Sequence, residues 1–348
     1  MNPSDPNMTQ RPRIAVVLGD PAGIGPELIA RLLADPVAAQ ARILLIADRD
    51  EWQRGMAVAG VNLALPEVER PDFQGTEHGP RLHHWNLADR PAYPRGEASA
   101  DGGRYCLGTL QVALNLAQAG QADAILFGPL NKSSMHAAGM GHNDELHWFA
   151  EKLGYGGPFC EFNVLDGLWT SRVTSHVAIK EVPALITPGR VRDAIDLIDH
   201  ALRRSGVATP RIAVCGLNPH NGDNGAFGRE EIDVIGPAVA EARSRGVAAQ
   251  GPFPADTIFL KVQGGPEQRQ FDAIVTMYHD QGQIGIKLMG FSRGVTVQGG
   301  LPVPIATPAH GTAFDITQQG RANPGATLQA FHLACQMGAR RLADAHAA

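Results

Sequence analysis

The sequence predicts an α/β fold of two domains, each built on a largely parallel sheet with helices packed against it. Three observations predict it. Short, continuous apolar runs alternate with segments of helix length, the pattern of buried parallel strands joined by helical crossovers. The chain has 348 residues, more than a single hydrophobic core commonly spans. Its 40 glycines and 25 prolines suit many tight connections rather than a long-helix bundle.

Taken in order, residues 14–18, 43–47, 124–127, 172–177, 212–216 and 273–278 read as strands, because each is a short apolar run ending near Gly, Pro or His. Helices are expected over 26–34, 104–119, 144–153, 188–205 and 230–245. Thr187 followed by Pro188 is a helix start, with a capping hydroxyl and a proline in the first turn. Gly206 and Gly246 are the matching stops. The stretch 67–103 is polar and rich in Pro, Gly and His, so it reads as an irregular excursion. A hinge near 128–141 and a return near 302–310 divide the chain into 1–135 plus 311–348 and a second domain of 136–310.

Composition excludes several classes of function. The formal net charge is −5, with no basic block, so nucleic acid is not an expected partner. Cys106, Cys160, Cys215 and Cys335 are widely spaced and form no CxxC pair, which suits thiols in a reducing, cytoplasmic setting. The first 11 residues read as a disordered leader without the apolar core of a secretory signal. No apolar run approaches a membrane span.

Chemistry is sought where strands end, since active sites of α/β folds gather there. His176, His220 and His279 each lie at or just past the end of an apolar run. Three neutral imidazoles converging there would suit Zn²⁺ or another divalent ion, and such an ion polarises a carbonyl or alkoxide. Singly, each histidine reads equally as a surface or hydrogen-bonded side chain. Asp280 follows His279 and could orient its ring, while Asp256 could move a proton or cap a turn. Lys132 follows an expected strand and could meet an anion or serve as a base. Lys287 is a similar candidate for the substrate. The glycine-rich GDPAGIGPE joins a strand to a helix, so amides near Gly23 and Gly25 could line a cofactor site. It does not match the dinucleotide GxGxxG pattern. A second segment, HGTAFDITQQGRANP, offers Asp315 for ribose hydroxyls and Asn323 for an adenine edge; a plain surface loop is the alternative.

Six ordered motifs, GDPAGIGPE, GPLNK, CGLNPH, GPFPADT, MYHDQG and HGTAFDI, make the chain resemble the 4-hydroxythreonine-4-phosphate dehydrogenase family over nearly its whole length. Segments of it are also similar to isopropylmalate and isocitrate dehydrogenases. The resemblance implies a two-domain α/β/α subunit of the isocitrate/isopropylmalate dehydrogenase type. It further implies a homodimer, with the active site in the interdomain cleft near the dimer interface. Implied, too, are NAD or NADP and a divalent metal (Zn, Mg, Mn or Co) held by His176, His220 and His279. Substrate contacts would come from His142 and Lys287, and cofactor contacts from His310, Gly311, Asp315 and Asn323. The chemistry is oxidation of a hydroxyl β to a carboxylate, followed by loss of carbon dioxide, with Lys132, Asp256 and Asp280 as candidates for the proton transfers. Three positions depart from the family's pattern. Asn143 replaces a threonine, Thr296 replaces a substrate-binding asparagine, and Ile305 stands where the family carries an arginine. Isoleucine cannot bind a phosphate dianion. The expected substrate is therefore non-phosphorylated, an aromatic-carboxylate cis-dihydrodiol such as that of terephthalate, with Trp148 beside its ring. The alternatives are the phosphorylated hydroxythreonine itself, a phosphate acetyltransferase-like acyltransferase and a non-catalytic binding protein.

Overall fold

The computed structural model describes residues 11–89 and 91–347, so all but the last residue of the expected leader lies outside the described residues. Two compact units emerge: one runs through Gly156 and resumes at Leu301, the other is Gly157–Gly300. Along the first stretch come β1 (Arg13–Val17), α1 (Gly25–Ala34), β2 (Arg42–Ala47), α2 (Arg49–Ala59), β3 (Glu67–Val68), β4 (Arg81–His84), α3 (Ala100–Gln118), β5 (Ala124–Phe127), α4 (Lys132–Ala137) and α5 (Glu145–Lys152). The second unit holds β6 (Cys160–Leu165), β7 (Leu168–Arg172), α6 (Val182–Leu185), α7 (Pro188–Arg204), β8 (Ile212–Cys215), α8 (Gly236–Ser244), β9 (Ala249–Phe253), β10 (Ala273–Thr276), α9 (His279–Gly290) and β11 (Val295–Gly299). The return to the first unit supplies β12 (Ile305–Pro308) and α10 (Gly325–Ala347).

In the first unit the strand order is β3-β4-β2-β1-β5-β12, and these pairs are parallel. Ile14, Ala15, Val16 and Val17 of β1 are fully buried, as a central strand covered on both faces must be. The second unit runs β11-β6-β7-β10-β8-β9. Its β7, β10, β8 and β9 are parallel neighbours, while β6 is antiparallel to β7 and β11.

Each unit registers one parallel pair with the same device. At the foot of β1, Asp123 accepts the Arg13 backbone N–H at 2.8 Å and the Arg13 Nε and Nη2 at 3.0 and 2.8 Å. At the foot of β8, Asp272 accepts the corresponding Arg211 groups at 2.9, 3.0 and 2.7 Å. A fork of guanidinium and backbone N–H on one carboxylate fixes both angle and register.

Helix starts follow local chemistry. Thr187 accepts the Arg190 N–H and caps α7, with Pro188 at its first position. Gly206 and Gly246 have φ of 104° and 88° and end their helices as expected. Residues 136–156 join the first unit rather than the second, because α5 packs there. Phe149 is fully buried, with its ring centroid 5.7 Å from that of Phe127 on β5. Residues 301–310 do likewise, since Ile305 and Ala306 of β12 pair with Ile125 and Leu126. The strand expected over 172–177 lies earlier instead, at Leu168–Arg172, and the one expected over 273–278 ends at Thr276.

Candidate functional site

In the second unit the chain beyond β7 is laid against the end of β10. Val173 and Thr174 donate backbone N–H groups to the carbonyls of Thr276 and Met277 at 2.9 and 3.1 Å, and the Thr174 hydroxyl adds a bond to Met277 at 2.8 Å. This brings His176 beside His279: their ring centroids are 5.6 Å apart, with planes inclined at 38°. His279 is not the end of a strand but the first residue of α9. Its Nδ1 is 2.7 Å from Asp280 Oδ1, an arrangement that orients the ring and directs Nε2 away from the carboxylate.

Gln281 ties three segments together. Its Oε1 accepts the Met277 N–H at 2.7 Å, and its Nε2 donates to the Gly216 carbonyl at the end of β8 at 2.9 Å. The chain leaving β8 carries His220 into the turn Pro219–Gly225, where His220, Asn221, Asp223 and Asn224 have φ between 43° and 57°. Left-handed backbone costs roughly 1–2 kcal/mol per non-glycine residue, and such strain gathers at functional sites. Among the described residues, no three His, Cys, Asp or Glu side chains within the one chain meet as a metal site. His176 and His279 come together, and His220 does not complete the group. Two facing imidazoles, one with a carboxylate behind it, are a donor set that fits a divalent ion in part.

The remaining candidates belong to both units. Asp256, Asp280 and Lys287 are exposed in the second unit, and Lys132 is exposed on the first turn of α4 in the first unit. Asn143 is exposed, and half-buried His142 bonds Glu151 through Nε2. Nearby, Asp144 caps α5 and holds the His147 ring at 2.6 Å. Burial alone would raise the Asp144 carboxyl, but its bonds to the His147 N–H and ring outweigh this and hold it below its usual range.

Gly23 and Gly25 are buried, and their lack of a side chain serves packing. A Cβ on Gly25 would lie 2.0 Å from the Leu18 carbonyl oxygen, and one on Gly23 would lie 2.7 Å from that of Thr312. The two segments expected to bind a cofactor are bonded to each other: Ile24 N–H donates to the Thr312 carbonyl and the Thr317 hydroxyl to the Gly23 carbonyl, both at 3.1 Å. A cavity of about 20 Å³ beside them, lined by Arg54, Arg95 and Thr317 among others, is far smaller than the ~300–1,000 Å³ of pockets for drug-sized ligands. The open surface of the 310–323 segment does present Gly311 and Asp315. Half-buried His310 turns Nδ1 to the Gly311 carbonyl, and exposed Asn323 already accepts the Gly325 N–H.

Asp20, Glu231 and Gln281 are not among the residues expected at a site. Asp20 is fully buried in GDPAGIGPE with its Oδ2 unpartnered. Glu231 is buried beyond the His220 turn. A carboxylate in a glycine-rich strand end was the available signal for Asp20, whereas Glu231 sits in an ordinary acidic helix start.

The departures from the family's pattern at Thr296 and Ile305 do not speak against a phosphorylated substrate. Ile305 is 0% exposed within β12, so its apolar side chain completes a sheet and says nothing of a ligand. Thr296 is buried in β11 and accepts a bond from Asn163 Nδ2 at 3.4 Å. Trp148 is 4% exposed against Phe149. All three are core residues rather than pocket walls.

Comparison with known proteins points the same way. Residues 39–334 match the family model of the pyridoxal phosphate biosynthetic protein PdxA. A Pseudomonas aeruginosa protein, provisionally called 4-hydroxythreonine-4-phosphate dehydrogenase 2, is 68% identical, covering 95% of this chain and 98% of its own. The D-threonate 4-phosphate dehydrogenase of Salmonella typhimurium is 35% identical, covering 93% of this chain and 98% of its own. Among solved structures, 4-hydroxythreonine-4-phosphate dehydrogenase from Klebsiella pneumoniae superposes with a TM-score of 0.80 at 33% identity, covering 94% and 98% of the two chains. A terephthalate 1,2-cis-dihydrodiol dehydrogenase from Burkholderia xenovorans is more distant, with a TM-score of 0.66 at 28% identity and coverage of 93% and 98%. The expectation of an aromatic dihydrodiol substrate, and with it a role in aromatic catabolism, is overturned by these relatives. The shared class is that of dehydrogenases, and the chain is an oxidoreductase that belongs to the PdxA family.

Proposed function

We propose that this enzyme oxidises 4-hydroxythreonine-4-phosphate at the hydroxyl β to its carboxylate, using NAD or NADP, with loss of carbon dioxide. The observation that carries the reading is similarity along almost the whole chain to a 68% identical relative of that name. A bound nicotinamide would supply the hydride acceptor, and a bound divalent cation would supply Lewis acidity at the oxygen being oxidised.

The chain's own residues do the rest. His176 and His279 face each other and, with His220, are the residues that would hold the cation; Asp280 keeps the His279 ring oriented. Lys132 and Asp256, both exposed, are the groups offered for receiving the hydroxyl proton and returning one after the carboxylate leaves. Lys287 and His142 supply cationic or hydrogen-bonding contacts to the substrate's anionic ends. Asp315, on the open face of the 310–323 segment, would meet a ribose, and a carboxylate there favours NAD over a 2′-phosphate.

The chain would act as a homodimer through its second unit. Among the described residues, the large hydrophobic side chains left exposed all lie there, including Ile284 and Leu288, one turn apart on α9 and 61% and 84% exposed.

Formation of reduced nicotinamide tests the substrate, with 4-hydroxythreonine-4-phosphate, its unphosphorylated form, D-threonate 4-phosphate and a terephthalate dihydrodiol compared side by side. The first compound should be turned over. The unphosphorylated form should lose at least about 30-fold in kcat/KM, the worth of about 2 kcal/mol of charge-assisted binding. Preference for the dihydrodiol would defeat the reading.

A further inference from the structure

Glu231 is a buried carboxylate to which the reaction above gives no task. It opens a π-turn, Glu231–Ile235, and is 4% exposed. Its Oε1 accepts the backbone N–H groups of Leu217 and Asn218, each at 2.7 Å, and its Oε2 accepts Asn218 Nδ2 at 3.0 Å. These donors lie immediately before the turn that carries His220.

That turn is unusual backbone. From His220 to Gly225 the φ angles are 53°, 57°, 74°, 43°, 57° and 97°, and four of the six residues are not glycine. L-residues visit this region singly, not in runs, so the run persists only where its surroundings over-determine it. Asn221 anchors one side, donating through Nδ2 to the Pro252 carbonyl at 2.7 Å. The Glu231 carboxylate occupies the other. A Cβ on Gly216 would lie 2.9 Å from Oε1, and one on Gly222 would lie 2.8 Å from Oε2. The carboxylate therefore touches both the base and the crown of the loop.

We propose that Glu231 is a positioning residue whose carboxylate clamps the left-handed turn presenting His220 and thereby sets the protein's affinity for a divalent cation. The second half rests on the reading of His220 as a ligand. Glutamine at 231 would keep the size but turn an amide N–H₂ toward groups that are all donors, so part of the clamp becomes a repulsion.

Two measurements on the metal-free full chain test it: hydrogen exchange of residues 217–226, and calorimetric titration with Mn²⁺ alone. E231Q should raise exchange across 217–226 while β10 stays protected, and should weaken Mn²⁺ binding by about 10-fold, because His220 is no longer held in place before the ion arrives. Asn218→Ala removes one of the three bonds to Glu231, together with the Asn218 Nδ2 bond to Glu230 Oε2 at 2.6 Å, and should give the same changes in weaker form; it carries the test if E231Q does not fold. His220→Ala should lose Mn²⁺ affinity with the exchange of Leu217 and Asn218 unchanged. Wild-type exchange in folded E231Q would overturn the clamp. A loosened turn with unchanged Mn²⁺ affinity would overturn the link to the cation. If His220→Ala binds Mn²⁺ like the wild type, the ligand reading fails, and exchange still judges the clamp.

Discussion

Asp20 sits where its charge is penalised. Burial raises its carboxyl above the usual value, and the Ala22 N–H, the Ser134 hydroxyl and the nearby Arg95 only partly oppose this. Its Oδ1 accepts the Ala22 N–H at 2.9 Å, while Oδ2 is buried without a partner. For an acid whose folded value is raised, ionisation destabilises the fold as pH rises from the unfolded value of 3.8 through the folded one. Asp20→Asn should therefore match the wild type at pH 3.8 and below and become more stable above it, by on the order of 1 kcal/mol at neutral pH. Thermal melts across pH measure this, and a variant less stable at neutral pH would show that the carboxylate is needed in place. Residue identity also misleads at this scale. Ile305 is apolar because β12 is buried, and no reading of the sequence alone separates an isoleucine facing a ligand from one facing a sheet.

Among elements, the two Arg–Asp forks make the sharpest prediction. Burial by itself would raise the Asp272 carboxyl, but the Arg211 side chain and N–H together overcome it and hold it below 3.8. A depressed value gives stability that is present above the unfolded value and lost as pH falls through the folded one. Asp272→Asn should cost about 1–3 kcal/mol at neutral pH, a figure kept low because Arg211 is 43% exposed. The deficit should shrink in acid, as denaturant melts at successive pH values would record; a deficit constant down to pH 2 would refute the linkage. The elements legible in the sequence were those with continuous apolar runs, β1, β2, β5, β8 and β10, and helices with clear caps such as α7. β6 and β11 escaped because polar Glu161, Asn163, Thr296 and Gln298 interrupt them. α9 was hidden because His279-Asp-Gln-Gly resembles a loop after a strand. Half of the candidate site was legible, namely the pairing of His176 and His279. The left-handed turn was not, since nothing in Asn-Pro-His-Asn-Gly announces six positive φ angles held by a glutamate from the next element.

At the scale of the whole molecule, the apolar side chains of the second unit need a cover. Charging the most exposed of them, Leu288→Asp, should dissociate the proposed homodimer, with light scattering reading a fall from twice the chain mass to one while each unit keeps its fold. Wild type that already scatters as a single chain would remove the dimer. In the first unit, the chain closes the sheet only at the end. β5 receives its neighbour β12 from beyond Leu301, after the entire second unit has been threaded between them. A ribosome-born chain thus carries β5 with one bare rim until the whole second unit has been made. The inserted unit, being contiguous, has every strand it needs while the unit encoded first still waits for its last, so the later-encoded half can settle ahead of the earlier one.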